Sequence, residues 1–386
     1  MRPPRVLHIV LSLIAIAGFV LFIAACSPSW SPDGSQVAFE YIVPNTNQSG
    51  VALFENGSGK VTSIFTYFSD KKATHPTMSA QWREDGRTVL VFIADKSKPS
   101  DESSFIVEVA PSGDLLRRIA LAGNDDLYFA PAAEVRGNLY LWGDHPLRVN
   151  LSDGNITALE NTDGAYIFRS ADQVLFLNKS EAEDDKDRFM IGSFDTDSLE
   201  LHSYAEFRVP NHSDSEFDGI IPPPTTNRAG TQIAFVAPRK NGTGVIVICD
   251  QRGLLHTLEP KLNSKYRIGN LQWSSDGSSL YAGILTFVKK SVAVWSIAEI
   301  NAESGRITHM VPVTQLDADK GDVDDTFFYL FPIALSPDGH TVATNLAGAP
   351  DEAISDSDRA LYLVDVSGGW NKVTKIPYPR PGTVVK

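Results

Sequence analysis

Cysteine is scarce in this sequence of 386 residues, which contains only Cys26 and Cys249. If Cys26 is covalently modified, as its surroundings suggest below, no disulfide can form within one chain. Cys249 ends an apolar run, so we expect it to be a buried and unreactive thiol. The fold must then be held together by its hydrophobic core alone, and about 360 residues suffice for that.

Basic residues are outnumbered, with 34 Lys and Arg against 47 Asp and Glu and a net charge of −13. A surface that binds the phosphates of nucleic acid needs clustered Lys and Arg, and the sequence shows no such cluster. We therefore expect no nucleic-acid partner.

Familiar catalytic and cofactor motifs are also missing. The sequence contains no G-x-S-x-G, no H-E-x-x-H, no C-x-x-C and no complete phosphate-binding loop. The eight histidines are scattered, and only His75 and His212 are placed where they could approach a central channel. Because a lone histidine is more often structural than catalytic, we expect no catalytic residues and no bound cofactor.

What the sequence does contain is a repeated turn. Residues 30–39 begin Trp-Ser-Pro-Asp-Gly and continue as an apolar strand. Proline presets φ at the second turn position, aspartate suits the third, and glycine accepts the left-handed conformation. Three further convincing copies and three weaker ones follow. They lie at residues 82–86, 273–277 and 335–339, and at residues 136–138, 168–171 and 227–230.

Each copy is followed by a second apolar run, a polar turn and a third run, giving four strands in about 50 residues. The Asp-Gly turns and the Trp or Leu before them resemble the TolB-like repeat, a relative of the WD repeat that also builds the propellers of prolyl-oligopeptidase-type enzymes. The sequence thus predicts an all-β fold, a single β-propeller over residues 30–380. Seven blades fit best, with six or eight as alternatives. The resemblance implies an architecture rather than a function.

Two residue types recur at fixed positions in the repeat. Trp30, Trp82 and Trp273 precede their turns at the same offset, so we expect them to be core aromatics between blades. The turn aspartates are expected to bond neighbouring backbone N–H groups, because a catalytic residue would not recur in every blade.

The chain begins with a short basic segment, residues 1–5, followed by an apolar run, residues 6–25. Ile-Ala-Ala-Cys at residues 23–26 matches a bacterial lipobox. We expect residues 1–25 to be a signal peptide cleaved before Cys26, which would carry lipid such as palmitate. An uncleaved membrane helix is the alternative, since ~20 apolar residues can span a bilayer. Residues 26–29 would be a tether, and residues 381–386 a C-terminal tail.

The connections between strands differ in length. If the first strand of each blade is innermost, the Asp-Gly turn and the turn after the third strand open on one face, and both are short. The other connections open on the opposite face and are long at residues 179–188, 210–224, 315–326 and 347–359. Because loops on a rigid scaffold commonly determine function, the second face is the predicted binding face.

The long loops are also acidic, and five of their residues are candidates for binding a partner. These are Glu181, Asp184, Asp187, Asp324 and Asp356. Three interpretations are open: solvated loops that keep the protein soluble, an acidic rim for a basic partner, and a calcium site. The calcium site would use Asp317, Asp319 and Asp322, although Gly321 falls one position early for an EF-hand loop and position twelve is not Glu.

These features together predict a non-enzymatic lipoprotein of the bacterial cell envelope, a monomer that binds a protein or peptide partner. The TolB resemblance implies a similar role, although TolB has an additional domain before its propeller. The alternatives are a glycan-active lyase or hydrolase using channel residues, and a ligand- or metal-sensing receptor. Only three residues separate Cys26 from Trp30, so we expect the loop-bearing face to lie toward the anchoring membrane.

Overall fold

The computed structural model describes residues 28–379, apart from residues 45, 71–75, 96, 122–129, 143–145, 160–164, 171, 180–187, 210–222, 239–243, 290–291, 318–331, 348–353 and 371. Within this part of the chain, 28 strands form seven four-stranded antiparallel sheets. The helix found there is a single turn, α1 (Ser100–Ser103). The predicted all-β propeller is confirmed, and the number of blades is seven.

Each blade consists of four consecutive strands. Blade 1 contains β1 (Ser29–Trp30), β2 (Gln36–Ile42), β3 (Gln48–Glu55) and β4 (Val61–Phe68). Blade 2 contains β5 (Thr77–Trp82), β6 (Val89–Ala94), β7 (Ser104–Val109) and β8 (Leu115–Ala120). Blade 3 contains β9 (Ala130–Val135), β10 (Asn138–Trp142), β11 (Leu147–Asn150) and β12 (Ile156–Ala158). Blade 4 contains β13 (Tyr166–Ser170), β14 (Gln173–Lys179), β15 (Arg188–Phe194) and β16 (Leu201–Arg208).

The last three blades follow the same order. Blade 5 contains β17 (Thr225–Thr226), β18 (Ile233–Pro238), β19 (Gly244–Asp250) and β20 (Gly253–Leu258). Blade 6 contains β21 (Tyr266–Trp273), β22 (Ser279–Lys289), β23 (Val292–Asn301) and β24 (Ile307–Asp317). Blade 7 contains β25 (Ile333–Leu335), β26 (Thr341–Asn345), β27 (Ala360–Asp365) and β28 (Val373–Pro377).

The first strand of every blade is the innermost. Each first strand contacts the first strand of the next blade, and the series closes when β25 contacts β1. The second and third strands lie between neighbouring blades, which explains why a strand such as β19 is buried at every position. Trp30, Trp82 and Trp273 are buried at the ends of their first strands, as predicted.

The repeated turns pack against one another around the ring. Gly34 has a φ of +72°, and a Cβ added to it would lie 3.6 Å from Pro337 Cδ in the preceding turn. Gly86 has a φ of +67°, and a Cβ added to it would contact Pro32 Cδ in the turn of blade 1. Glycine is therefore favoured at these positions by the left-handed backbone, while the neighbouring turn lies at an ordinary contact distance.

The ring closes without a shared sheet, because blade 1 and blade 7 are each built from their own consecutive strands. The indole Nε1 of Trp30 donates to the Ala334 carbonyl at 3.1 Å across this join. A hydrophobic cluster, including Phe39, Leu361 and Ile376, is also shared between the two blades. Side-chain packing therefore replaces strand exchange at the seam between blade 1 and blade 7.

Candidate functional site

The two ends of the propeller are built differently. Turns joining first to second and third to fourth strands open on one end, the turn face, and the remaining connections open on the other, the loop face. On the turn face the longest connection is residues 366–372. On the loop face, residues 209–224 separate β16 from β17 and residues 318–332 separate β24 from β25. The predicted asymmetry between the faces is confirmed.

The aspartates of the repeated turns on the turn face are structural, as predicted. Each accepts a hydrogen bond from the backbone N–H two residues later, at 2.9–3.0 Å. They are Asp33, Asp85, Asp276 and Asp338. In blade 1 the Ser31 hydroxyl also donates to Asp33 at 2.6 Å. This bond, together with bonds from Ser35, lowers the pKa of Asp33, so its ionised form is fixed in the turn.

Of the five candidate partner-binding residues on the loop face, the structure describes one. Asp356 is exposed in the connection between β26 and β27. The other four lie outside the described residues. They are Glu181, Asp184, Asp187 and Asp324. The structure therefore brings none of the five together, and they remain predictions.

The proposed calcium ligands are also only partly described. Asp317 is half-buried at the end of β24, opposite Val292 of β23. Asp319 and Asp322 lie outside the described residues. Among the residues that the structure does describe, no group of three or more His, Cys, Asp or Glu side chains could hold a metal ion.

Hydrogen bonds fix both ends of the connection that contains Asp356. Buried Arg359 donates from Nη1 to the Ala347 carbonyl at 3.1 Å, which joins the two sides of the connection. Asp358 accepts from Lys375 Nζ at 2.7 Å and from the Ser355 hydroxyl at 2.7 Å. The Lys375 bond contributes most to lowering the pKa of Asp358. Asp356 is thus exposed to solvent on a segment that these hydrogen bonds hold in place.

A second braced position lies between blades 1 and 2 on the loop face. Buried Asp95 accepts hydrogen bonds from Tyr67 Oη at 2.9 Å and from the Ser97 hydroxyl at 2.6 Å. Burial alone would raise the pKa of Asp95, but these bonds outweigh it and lower the pKa. No local pattern in the sequence marks Asp95 as a contact between blades, because its partner Tyr67 lies on the other blade.

One carboxyl group, that of Glu40, lies close to the propeller axis. Its Oε1 accepts from the backbone N–H of Ala80 on the innermost strand β5, at 2.6 Å. The backbone N–H of Arg83, just after β5, donates to the Thr88 carbonyl, just before β6. Because backbone N–H groups point alternately toward and away from the partner strand, the Ala80 N–H, three residues earlier, points away from β6 and toward the axis. Oε2 accepts from Asn345 Nδ2 at 3.2 Å. Both carboxyl oxygens of the buried Glu40 are therefore engaged by groups of the protein.

A charged network on the turn face joins blades 2, 3 and 4. Arg83 Nη2 and Nε donate to Oε1 of buried Glu134, at 2.8 and 3.1 Å, and Nη1 donates to Glu108 at 3.2 Å. Arg169 of blade 4 donates to the Glu134 carbonyl and pairs with Glu84. Burial would raise the pKa of Glu108, but its bonds outweigh burial and lower it.

One member of this network departs from the repeat in the sequence. Where blades 1, 6 and 7 have Ser31, Ser274 and Ser336, blade 2 has Arg83. Those serines cap their own turns through hydrogen bonds to the turn aspartate. A departure from the repeat at a position of fixed geometry indicates a residue with another partner, although its identity needs the fold.

The cysteines and the amino-terminal segment complete the predicted positions. Cys249 is buried, as predicted, and burial raises the pKa of its thiol to about 12. Cys26, His75 and His212 lie outside the described residues. None of the helical structure that is described has the length and apolar character to cross a bilayer.

Comparison with known proteins supports the fold and leaves the family open. No protein-family model matches the sequence, and no curated protein matches it. A chain in a structure of the mitotic checkpoint complex is similar with a TM-score of 0.55 and 15% identity, covering 86% of this chain and 85% of that one. A chain of hydrazine synthase from Kuenenia stuttgartiensis is similar with a TM-score of 0.51 and 13% identity, covering 90% of this chain and 96% of that one.

TolB from Acinetobacter baumannii is a more distant neighbour. Its TM-score is 0.35 at 13% identity, covering 75% of this chain and 57% of that one. At these identities the comparisons show the propeller fold and no function, since propellers serve unrelated activities.

Proposed function

We propose that the protein is a cell-envelope lipoprotein whose propeller binds a protein or peptide partner through the acidic connections of its loop face. Cys26 is the lipidated residue in this proposal. The binding residues are the acidic side chains of the loop-face connections, represented among the described residues by Asp356.

The observation that supports this proposal most strongly is the exposure of Asp356 on a loop-face segment that hydrogen bonds hold in place. On the turn face, the repeated aspartates are bonded to the backbone of their own turns. On the loop face, Asp356 is exposed on a segment that Arg359 and Asp358 hold in place. Rigid support combined with exposed charge is the arrangement expected of a recognition surface.

The partner's chemistry follows from the sign of the charge. The chain has a net charge of −13, and the long connections contribute many of its Asp and Glu residues. A basic protein segment or peptide would be attracted, with an association rate that falls as salt is raised, because exposed charges are screened over about 8 Å at physiological ionic strength.

Site-specific photo-crosslinking in intact cells tests the binding face. A photoreactive residue would replace Asp356 on the loop face and, as a matched control, Asp114, which is exposed on the turn face. We expect a discrete crosslinked protein from position 356 and none from position 114. Crosslinking from position 114 alone would contradict the proposal.

Acyl labelling tests the membrane anchor. Cys26→Ala is expected to abolish incorporation of labelled fatty acid and to leave an uncleaved precursor, whereas Cys249→Ala should leave labelling unchanged. Labelling that persists in Cys26→Ala would show that Cys26 is not the lipidated residue.

A lipid anchor on Cys26 would also determine which face of the propeller lies toward the membrane. Trp30 ends β1 immediately before the turn face, so β1 begins at its loop-face end with Ser29. A lipid on Cys26 would then hold the loop face near the membrane, since three residues span at most about 10 Å. This favours a partner that is itself membrane-proximal, or a peptide that fits beneath the ring.

A further inference from the structure

The second and third strands of blade 6 are longer than their counterparts in the other six blades. β22 has 11 residues and β23 has 10. The second and third strands of the other blades have 4–8 residues. We call β22 and β23 together the blade 6 hairpin.

The additional length of this hairpin lies at its loop-face end. β2 and β22 both begin two residues after the glycine of their turn, Gly34 or Gly277. β2 ends eight residues after that glycine, at Ile42, whereas β22 continues to the twelfth residue, Lys289. Four more residues at ~3.3 Å each make β22 about 13 Å longer than β2 in the direction of the loop face.

The loop-face end of the blade 6 hairpin is apolar and basic. Val288 is 57% exposed, Lys289 is exposed and Phe287 is half-buried. Lys265, exposed in the connection before β21, places its Nζ 5.2 Å from the centroid of the Phe287 ring. The backbone N–H of Phe287 donates to the Lys265 carbonyl at 2.9 Å. An exposed valine and an aromatic ring therefore lie beside two lysines.

The charge around this end is positive among the described residues. Lys261 is a third exposed lysine, in the same connection as Lys265. The acidic residues described at the loop-face ends of the blade 6 strands are Glu259, in that connection, and Asp317, which is half-buried at the end of β24. Blade 6 thus presents lysines on a face whose long connections are rich in Asp and Glu.

We propose that the loop-face end of the blade 6 hairpin docks on the surface of a membrane that contains anionic lipid. This inference rests on the lipid anchor of the proposed function. Val288 and Phe287 would contact the boundary between headgroups and acyl chains, while Lys265 and Lys289 would reach the lipid phosphates. Lysine suits this position because its stem covers apolar surface while its ammonium stays at the polar headgroups.

The position of the anchor brings this end of the hairpin to the membrane. Ser29 pairs with Ala38, four residues before the loop-face end of β2. Cys26 precedes Ser29 by three residues, which span at most about 10 Å. That is less than the ~13 Å by which β22 exceeds β2. The tether is therefore too short to hold the hairpin clear of the bilayer.

The docked hairpin also reconciles the acidic connections with an anionic leaflet. Acidic side chains such as Asp356 are repelled by anionic headgroups, whereas lysines near the surface are attracted. If the lysines of blade 6 make the contact, the projecting hairpin keeps the other blades at a distance from the headgroups. The space beneath them is then open to a peptide partner of the acidic connections.

Fluorescence quenching by lipid tests the docking. An environment-sensitive fluorophore would be attached to Val288→Cys in the full chain, added to phosphatidylcholine vesicles with or without phosphatidylglycerol and with a nitroxide quencher on the lipid headgroups. Leu115→Cys is the matched control, because Leu115 is 60% exposed and begins β8 at the turn face. Buried Cys249 does not compete for the label.

We expect quenching at position 288 in vesicles that contain phosphatidylglycerol, and none at position 115. Replacing Lys265 and Lys289 by Gln should lower the docking constant by about fivefold for each lysine, since one lysine near an anionic surface contributes about that factor. No quenching at position 288, or equal quenching at both positions, would overturn the inference. Quenching that is unaffected by phosphatidylglycerol or by the lysine substitutions would overturn the assignment to anionic lipid.

Flotation of the same samples separates this inference from the anchor. A chain without lipid on Cys26 would fail to float with vesicles of phosphatidylcholine alone, which contradicts the anchor. Quenching at position 288 is read in vesicles with phosphatidylglycerol whether or not the chain is acylated, so its absence counts against the hairpin alone.

Discussion

Replacing Arg83 by Met should weaken the join between blades 2 and 3. The guanidinium makes three hydrogen bonds, two to Glu134 and one to Glu108. The Glu134 side chain is only 3% exposed, so the substitution leaves a buried carboxylate without its cation. Breaking a buried pair in this way costs about 3–5 kcal/mol. The Glu84 N–H still bonds Glu134 and Arg117 still pairs with Glu108, so we expect a loss of about 3 kcal/mol, near the lower end.

Urea unfolding followed by circular dichroism measures this change as a lower midpoint at an unchanged slope. Arg87→Met is the control, because Arg87 is exposed in the same turn and the bond found for it uses its backbone N–H. We expect the control to change the free energy of unfolding by less than about 0.5 kcal/mol. If Arg83→Met behaves like Arg87→Met, the charged network does not hold the blades together.

Three further changes test other parts of the fold. Gly283→Ala places a Cβ 2.1 Å from Cη2 of the buried Trp295 ring, and such overpacking should destabilise the fold by about 1–3 kcal/mol. We expect a lower urea midpoint, and an unchanged midpoint would contradict this packing. Tyr378→Phe leaves Asn345 Oδ1 without its donor and should cost about 1–3 kcal/mol in the same assay, whereas full stability would mean that the bond is not part of the seam. Cys249 should react with a thiol reagent at pH 8 only after unfolding, because burial raises its pKa to about 12, and rapid labelling of the folded protein would refute its burial.

The fold was predictable because its local and global signals agree. Each Ser-Pro-Asp-Gly turn specifies a tight hairpin by itself, as Asp33 and Gly34 show in blade 1. The regular spacing of such turns then fixes the number of strands in each blade. Even the weak copy at residues 136–138 forms a hairpin, because Arg136 and Gly137 both adopt positive φ.

The inter-blade polar contacts could not be predicted in the same way. Glu40 stands out as a charged residue within an apolar strand, but its partner Asn345 is 305 positions away in the sequence. Likewise, Arg83 departs from the repeat, while its partner Glu134 lies on the next blade. Such pairs depend on how the blades are packed, and a single sequence does not encode that in any local pattern. The candidate binding site was predicted from loop length and charge, and Asp356 is the member whose exposure the structure confirms.

The central claim is that the acidic loop face binds the partner, and an affinity measurement with two charge-matched variants tests it most directly. One variant neutralises the five loop-face candidates, with Asn for Asp and Gln for Glu. They are Glu181, Asp184, Asp187, Asp324 and Asp356. The other neutralises five exposed acidic residues of the turn face in the same way. They are Glu55, Asp114, Asp153, Glu200 and Glu303.

Both variants would be titrated with the partner identified by crosslinking from position 356, using isothermal calorimetry at one salt concentration. We expect the loop-face variant to bind at least about tenfold more weakly, equivalent to about 1.4 kcal/mol, and the turn-face variant to bind like the wild type. Equal weakening of both variants would indicate a response to net charge alone, and weakening of the turn-face variant only would place the site on the opposite face. Either result would contradict the account.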